Sequence, residues 1–160
     1  MYHKIKDYHI LISGILLNEP KEFINNLRSL YKDAIIQVID INTILDEEHI
    51  KGIIKQVLEA YERNILISNK IETEILLRIA CTNQIHKALE FASAKNNSLA
   101  ALIIVTKDPT IIDNIVNNYK LNNIEYSDKR TIMLLEYHNL KDAIINKIRS
   151  MLLERANLIY

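Results

Sequence analysis

Glycine is nearly absent from this chain: only Gly14 and Gly52 occur in 160 residues. A phosphate cradle needs glycines where backbone N–H groups must approach the phosphates closely. There is accordingly no P-loop, no dinucleotide-binding fingerprint and no kinase glycine-rich loop. An enzyme that holds its nucleotide in one of those ways is excluded. Cysteine is scarcer still. Cys81 stands alone, so neither a disulfide framework nor a zinc cluster forms within one chain. A cytoplasmic location is the expectation from that usage. Long apolar runs are missing as well. The longest, Ile10–Leu17, contains Ser13 and Gly14 and is too short to span a bilayer. The opening MYHKIKDYH lacks the apolar core of a signal peptide, and Asp7 and His9 interrupt it. No membrane partner is expected. An excess of either charge is also lacking, with 20 Lys+Arg against 20 Asp+Glu and a formal net charge of zero. The whole protein exerts no pull on nucleic acid or anionic lipid, so any RNA contact needs a local patch.

What is present reads as one α/β domain over residues 1–160, with a small mixed sheet of about four strands and helices packed on it. His9–Leu16 reads as a first strand, apolar on both sides, with Gly14 marking a bulge or a close backbone approach. Asn18-Glu19-Pro20 opens a helix with Phe23, Ile24, Leu27 and Leu30 as its core face. Ile35–Ile39 is a second strand. Asp46 caps a long helix whose stripe is Ile50, Ile53, Ile54, Val57, Leu58 and Tyr61, and Gly52 faces away from that stripe. Ala101–Thr106 is a third strand. Asp108-Pro109 starts another helix, with Ile112, Ile115, Val116 and Tyr119 on one face. Residues 119–129 are polar and read as loop, with room for a short strand at Ile124–Ser127. Thr131–Tyr137 reads as a further strand. Asn139 with Asp142 resembles a capping box, and the last helix runs to about Asn157.

The most patterned stretch is Ser68–Ala92, a pair of helices with a break near Thr82. On the first, Ile71, Ile75, Leu76 and Ile79 form an apolar face, with Lys70, Glu74 and Arg78 as a polar stripe beside it. On the second, Ile85, Ala88, Leu89 and Ala92 form the face expected to be buried, and Thr82 or Asn83 can cap it.

Catalytic constellations are not evident. On a helix, Cys81 and His86 would stand about 140° apart, so they make no local nucleophile–base pair. The acids of Asp46-Glu47-Glu48-His49 are explained by capping and by the positive helix N-terminus rather than by a metal. His49 itself either accepts a local hydrogen bond or faces a partner. The five histidines show no metal-ligand spacing. No enzyme activity, metal or cofactor is expected.

Glu74-Ile75-Leu76-Leu77, Thr82, Gln84-Ile85 and Ala88 resemble the "EiLl…sGtrQI…A" pattern of the small KEOPS subunit, the PRPK-binding protein family (TPRKB) of archaea and eukaryotes. Val38-Ile39-Asp40 followed by Glu48-His49-Ile50 is similar to that family's "D……eHl" run. Glu154-Arg155-Ala156-Asn157-Leu158 resembles its terminal "ErvAL". The chain departs at Ala80-Cys81, where the family usually has "sG", and at Asn83, where it often has Arg. No glycine follows Phe91. The resemblance implies a non-catalytic subunit of the complex that makes threonylcarbamoyladenosine in tRNA. Such a subunit docks on and promotes a PRPK-type kinase, and it binds the single-stranded CCA end of tRNA.

Under that resemblance the RNA-facing set is Lys70, Ile75, Arg78, Asn83, Gln84 and His86. Amides suit unpaired base edges, and cations suit phosphates. Apart from the resemblance, Lys70, Glu74 and Arg78 read as an ordinary i,i+4 salt-bridge face. Tyr61, Leu66, Ile67 and Leu77 lie outside or at the edge of the core stripes and are candidates for the kinase surface. A kinase-binding module that never touches RNA is the alternative, and the zero net charge favours it.

Overall fold

The computed structural model describes residues 1–140 and 147–160. The elements run β1 (Tyr2–Ile5), β2 (Tyr8–Leu17), α1 (Pro20–Leu30), β3 (Ile35–Asp40), α2 (Glu47–Glu62), α3 (Ile71–Ile79), α4 (Ile85–Ala92), β4 (Ser98–Thr106), α5 (Pro109–Asn118), α6 (Asp128–Tyr137) and α7 (Ile148–Asn157). The chain divides into two compact units. One comprises Met1–Ile41 with Ala94–Ile124, the other Asn42–Ser93 with Glu125–Tyr160.

The first unit is a four-stranded sheet in the order β1-β2-β4-β3. All three pairings are antiparallel. The α/β class and the strand number agree with the sequence reading, but the expected mixture of strand directions is not found. β2 and β4 are central, which is why their Ile- and Leu-rich runs lack alternation. One face carries Leu11, Ile36, Leu102 and Ile104, packed with Leu27 of α1 and with Ile111, Ile112 and Ile115 of α5. Pro20 opens α1 and Asp108 caps α5, its carboxylate accepting from Thr110 N at 3.0 Å, both as the sequence suggests. Gly14 is a close backbone approach: its N–H donates to Asn122 O at 2.7 Å, and its carbonyl accepts from Asn122 N at 2.8 Å.

Two strand assignments change. Thr131–Tyr137 is not a strand; it lies in helix α6. A short apolar run does not distinguish the two states, and what decides is the flank. Ser127 caps the helix through its hydroxyl on Arg130 N, and Arg130, Thr131, Leu134 and His138 turn inward at helical spacing. Ile124–Ser127 forms no strand. The fourth strand is instead β1, joined to β2 by the tight turn at Lys6-Asp7, with Lys6 at a positive φ of 52°.

The second unit is helical. Asp46 caps α2 as expected, accepting from His49 N at 2.8 Å. Gly52 is not idle on that helix. A Cβ there would stand 2.6 Å from Leu153 Cδ2, so the missing side chain is the space α7 occupies. A smaller core gathers Leu45, Leu134, Leu140, Ile148 and Leu152.

The scarcity of glycine reappears in the helix ends. After α2, α3 and α6 the chain turns through Asn64 (φ 54°), Cys81 (φ 51°) and Asn139 (φ 55°). Each end closes with the same pair of bonds, for α3 Thr82 N to Leu77 O at 3.0 Å and Cys81 N to Arg78 O at 3.2 Å. This is the Schellman arrangement, whose left-handed position glycine fills at least cost and asparagine next. Asn139 therefore ends a helix, where the sequence suggested that it begins one; Asp142, its expected partner, lies outside the described residues.

Candidate functional site

The helix pair α3–α4 forms as anticipated, and the apolar face of α3 is buried at Ile75, Leu76 and Ile79, but Glu74 and Arg78 of the expected polar stripe turn inward too. Glu74 and Arg78 are fully buried. Arg78 Nε and Nη2 donate to Glu74 Oε1 at 3.2 and 3.0 Å. Glu74 Oε2 accepts from the backbone N–H groups of Ile67 and Ser68 at 3.0 and 3.1 Å, and Arg78 Nη1 donates to Ala156 O at 3.3 Å. The pair thus ties the loop before α3 and the end of α7 to one helix. Its polar atoms are matched by partners, the condition under which a buried ion pair is tolerated. Ile75 and Leu77, 1% and 0% exposed, are interior too. A contact of Ile75 or Arg78 with RNA, or of Leu77 with a kinase, would require a surface these residues do not have. Those three assignments are withdrawn.

The α4 side is the reverse. Ala88 and Ala92 are buried, but Ile85 and Leu89 are 49% and 46% exposed. α4 packs against α3, and its small alanines turn inward while the larger Ile85 and Leu89 stay on the outside. Thr82 does not cap the first turn by bonding into it; its hydroxyl accepts from Gln84 N at 3.2 Å, and Gln84 occupies the capping position. Asn83, Gln84 and His86 are all exposed at this start. Lys70 is exposed too, but a nine-residue helix, about 13 Å of rise, separates it from them. Of the kinase candidates, Tyr61 is 47% exposed, Leu66 and Ile67 are half-buried, and Ile65 beside them is 43% exposed.

The other titratable groups have structural work. Burial pushes the Cys81 thiol up to about 11, against the pull of Arg155, so it is no nucleophile at neutral pH. His49 Nδ1 accepts from Leu45 N at 3.1 Å, and burial lowers the ring to about 4. Burial alone would raise Asp46; the hydrogen bonds from Arg149 and His49 outweigh it and hold the carboxyl below its ordinary value. Among the described residues no group of three or more His, Cys, Asp or Glu is placed to hold a metal ion. Among them, too, no helix is long and apolar enough to cross a membrane.

Residues 16–151 match the family model described as kinase binding protein CGI-121. The chain belongs to the CGI-121 family. Comparison with the curated proteins finds no match. Membership makes the chain a non-catalytic protein of a KEOPS-associated family, and the α/β architecture accords with the resemblance from which it was expected. Cys81 is where the chain departs from the pattern it resembles. It stands at the left-handed position that closes α3, where the family's usual glycine would sit without strain.

Sequence reasoning missed Ile85 and Leu89 as surface residues, and Ile132 and Met133, 57% and 44% exposed on α6. A helix only eight residues long offers too few turns to tell which of two adjoining stripes faces inward. Ile132 and Met133 carry no readable signal when 131–137 is read as a strand.

Proposed function

We propose that this CGI-121 family member docks on the PRPK-type kinase subunit of the KEOPS assembly and recruits tRNA through its 3′ CCA end. The observation that carries the RNA part is the start of α4, where Asn83, Gln84 and His86 stand exposed together. Two amides and an imidazole supply donors, acceptors and a flat ring, which unpaired bases require. Lys87, exposed on the next position, adds a cation for phosphate. For the kinase surface, Tyr61, Leu66 and Ile67 remain, joined by Ile65; a cluster of aromatic and aliphatic groups is what an interface core is made of. One observation favours kinase binding without RNA, namely the zero net charge of the chain.

Titration with a full tRNA and with the same tRNA trimmed of its CCA end separates the two readings. Recruitment through the CCA end predicts binding that needs the trimmed nucleotides and weakens steeply with salt. Equal binding to both, or to neither, leaves kinase docking alone. For that surface, Tyr61→Glu is expected to weaken stimulation of ATP hydrolysis by the kinase subunit about tenfold, as for loss of an interface aromatic. Unchanged stimulation would remove the 61–67 segment from the interface.

A further inference from the structure

Between the ends of α3 and α6 lies a cavity of about 430 Å³. Cys81 and Thr82 form one wall, Tyr137 and Asn139 another, and Lys87 and Arg155 reach it from α4 and α7. Among the described residues its lining holds these two cations and no carboxylate. Arg155 donates through Nη1 to His138 O at the end of α6, which fixes the guanidinium at the rim; Lys87 is exposed. The Tyr137 ring is already stacked on Phe91, with centroids 3.6 Å apart and planes at 12°, so it is held flat against its neighbour while 47% exposed. His138, 5% exposed, packs edge-on against Tyr137, and its Nε2 has no hydrogen-bond partner.

Two cations, one of them the anchored Arg155 guanidinium, call for an anion, and a pre-ordered aromatic ring calls for a flat group. A nucleotide carries both, a phosphate and a flat base. We propose that the cavity binds a nucleoside monophosphate, with its phosphate between Lys87 and Arg155 and its base on the Tyr137 ring. The site needs no glycine-rich loop, because side chains rather than backbone N–H groups meet the phosphate. A free nucleotide and the end of an RNA chain offer the same chemistry, and the proposal does not depend on the RNA reading above.

The test is an amide-resolved NMR titration of the full chain with AMP, beside adenosine and inorganic phosphate. Saturable AMP shifts at Cys81, Thr82 and Asn139 are expected. Lys87→Glu, an exposed change, is expected to weaken AMP at least about tenfold, as for loss of a charge-assisted contact. Tyr137→Ala, with the fold checked by circular dichroism, is expected to weaken AMP and adenosine together. The trinucleotide CCA then identifies the source: displacement of AMP marks a chain end as an occupant, and failure to displace it marks the free nucleotide. The absence of saturable AMP shifts would overturn the proposal. So would inorganic phosphate binding as tightly as AMP, or an AMP affinity that neither substitution changes. AMP failure with CCA-dependent tRNA binding intact rejects the cavity alone; the converse rejects the tRNA reading alone.

Discussion

α3 and α4 are consecutive helices of nine and eight residues that pack against each other, yet they treat their charged and aliphatic side chains differently. α3 buries an arginine and a glutamate completely and has no exposed residue. α4 exposes an isoleucine and a leucine and buries alanines. The contrast separates two jobs. α3 is an internal fastener, where charges are kept because every polar atom finds a partner within the fold. α4 is a face whose apolar groups and polar start remain in solvent. Charge does not by itself mark a surface, and an aliphatic pair at helical spacing does not by itself mark a core.

The largest expected effect comes from breaking α3. Arg78→Ala leaves Glu74 buried without its cation and is expected to cost about 3–5 kcal/mol of stability, read from urea unfolding. An exposed i,i+4 pair would cost under about 0.5 kcal/mol, so a loss that small would return Arg78 to the surface.

The same burial of polar groups recurs at His49 and His138, both lowered to about 4, chiefly by desolvation. A histidine held below its ordinary value binds its proton less readily folded than unfolded. Stability is therefore fully present above about pH 6.5 and lost as pH falls toward 4, on the order of 3 kcal/mol for each ring. A urea series across that window is expected to show the loss, and His49→Gln to remove about half of it. Stability that is level from pH 7 to 4 would contradict the burial of both rings.

At the junction of the two helices, Cys81→Gly is expected to raise stability by up to about 1 kcal/mol, because glycine adopts the left-handed conformation without the Cβ penalty. A loss of stability would show that the thiol's contacts with Arg78 O and Leu152 O outweigh the strain.

Smallest of all is the effect of Ile85→Gln with Leu89→Gln. Both side chains are about half exposed, and stability should change by no more than about 0.5 kcal/mol in thermal unfolding. A loss of several kcal/mol would place them in a core.

Much of this was legible beforehand, for reasons particular residues make plain. Asp46, Pro20 and the Asp108-Pro109 pair announce helix starts because capping chemistry is local. The central strands were readable because both faces are buried and the apolar runs are continuous. α6 was misread because its inward residues include Arg130, Thr131 and His138 while Ile132 and Met133 face out, so hydrophobicity does not report its buried side. Arg78 was misread for a related reason. The partners of the Glu74–Arg78 pair, Gln56, Ile67-Ser68 and Ala156, come from three places in the chain, and no spacing within the helix reveals them. Asn83, Gln84 and His86 were placed on the surface because polar residues at a helix start have few interior alternatives.

The most direct test of the division between the two helices is the tRNA affinity of the Gln84→Ala, His86→Ala double variant, measured beside its thermal unfolding. RNA recognition by the exposed start of α4 predicts an unchanged unfolding midpoint and binding to intact tRNA weakened about tenfold or more, as for loss of contacts to unpaired bases. Parent-like affinity in the folded variant would contradict it and take the start of α4 out of the binding surface.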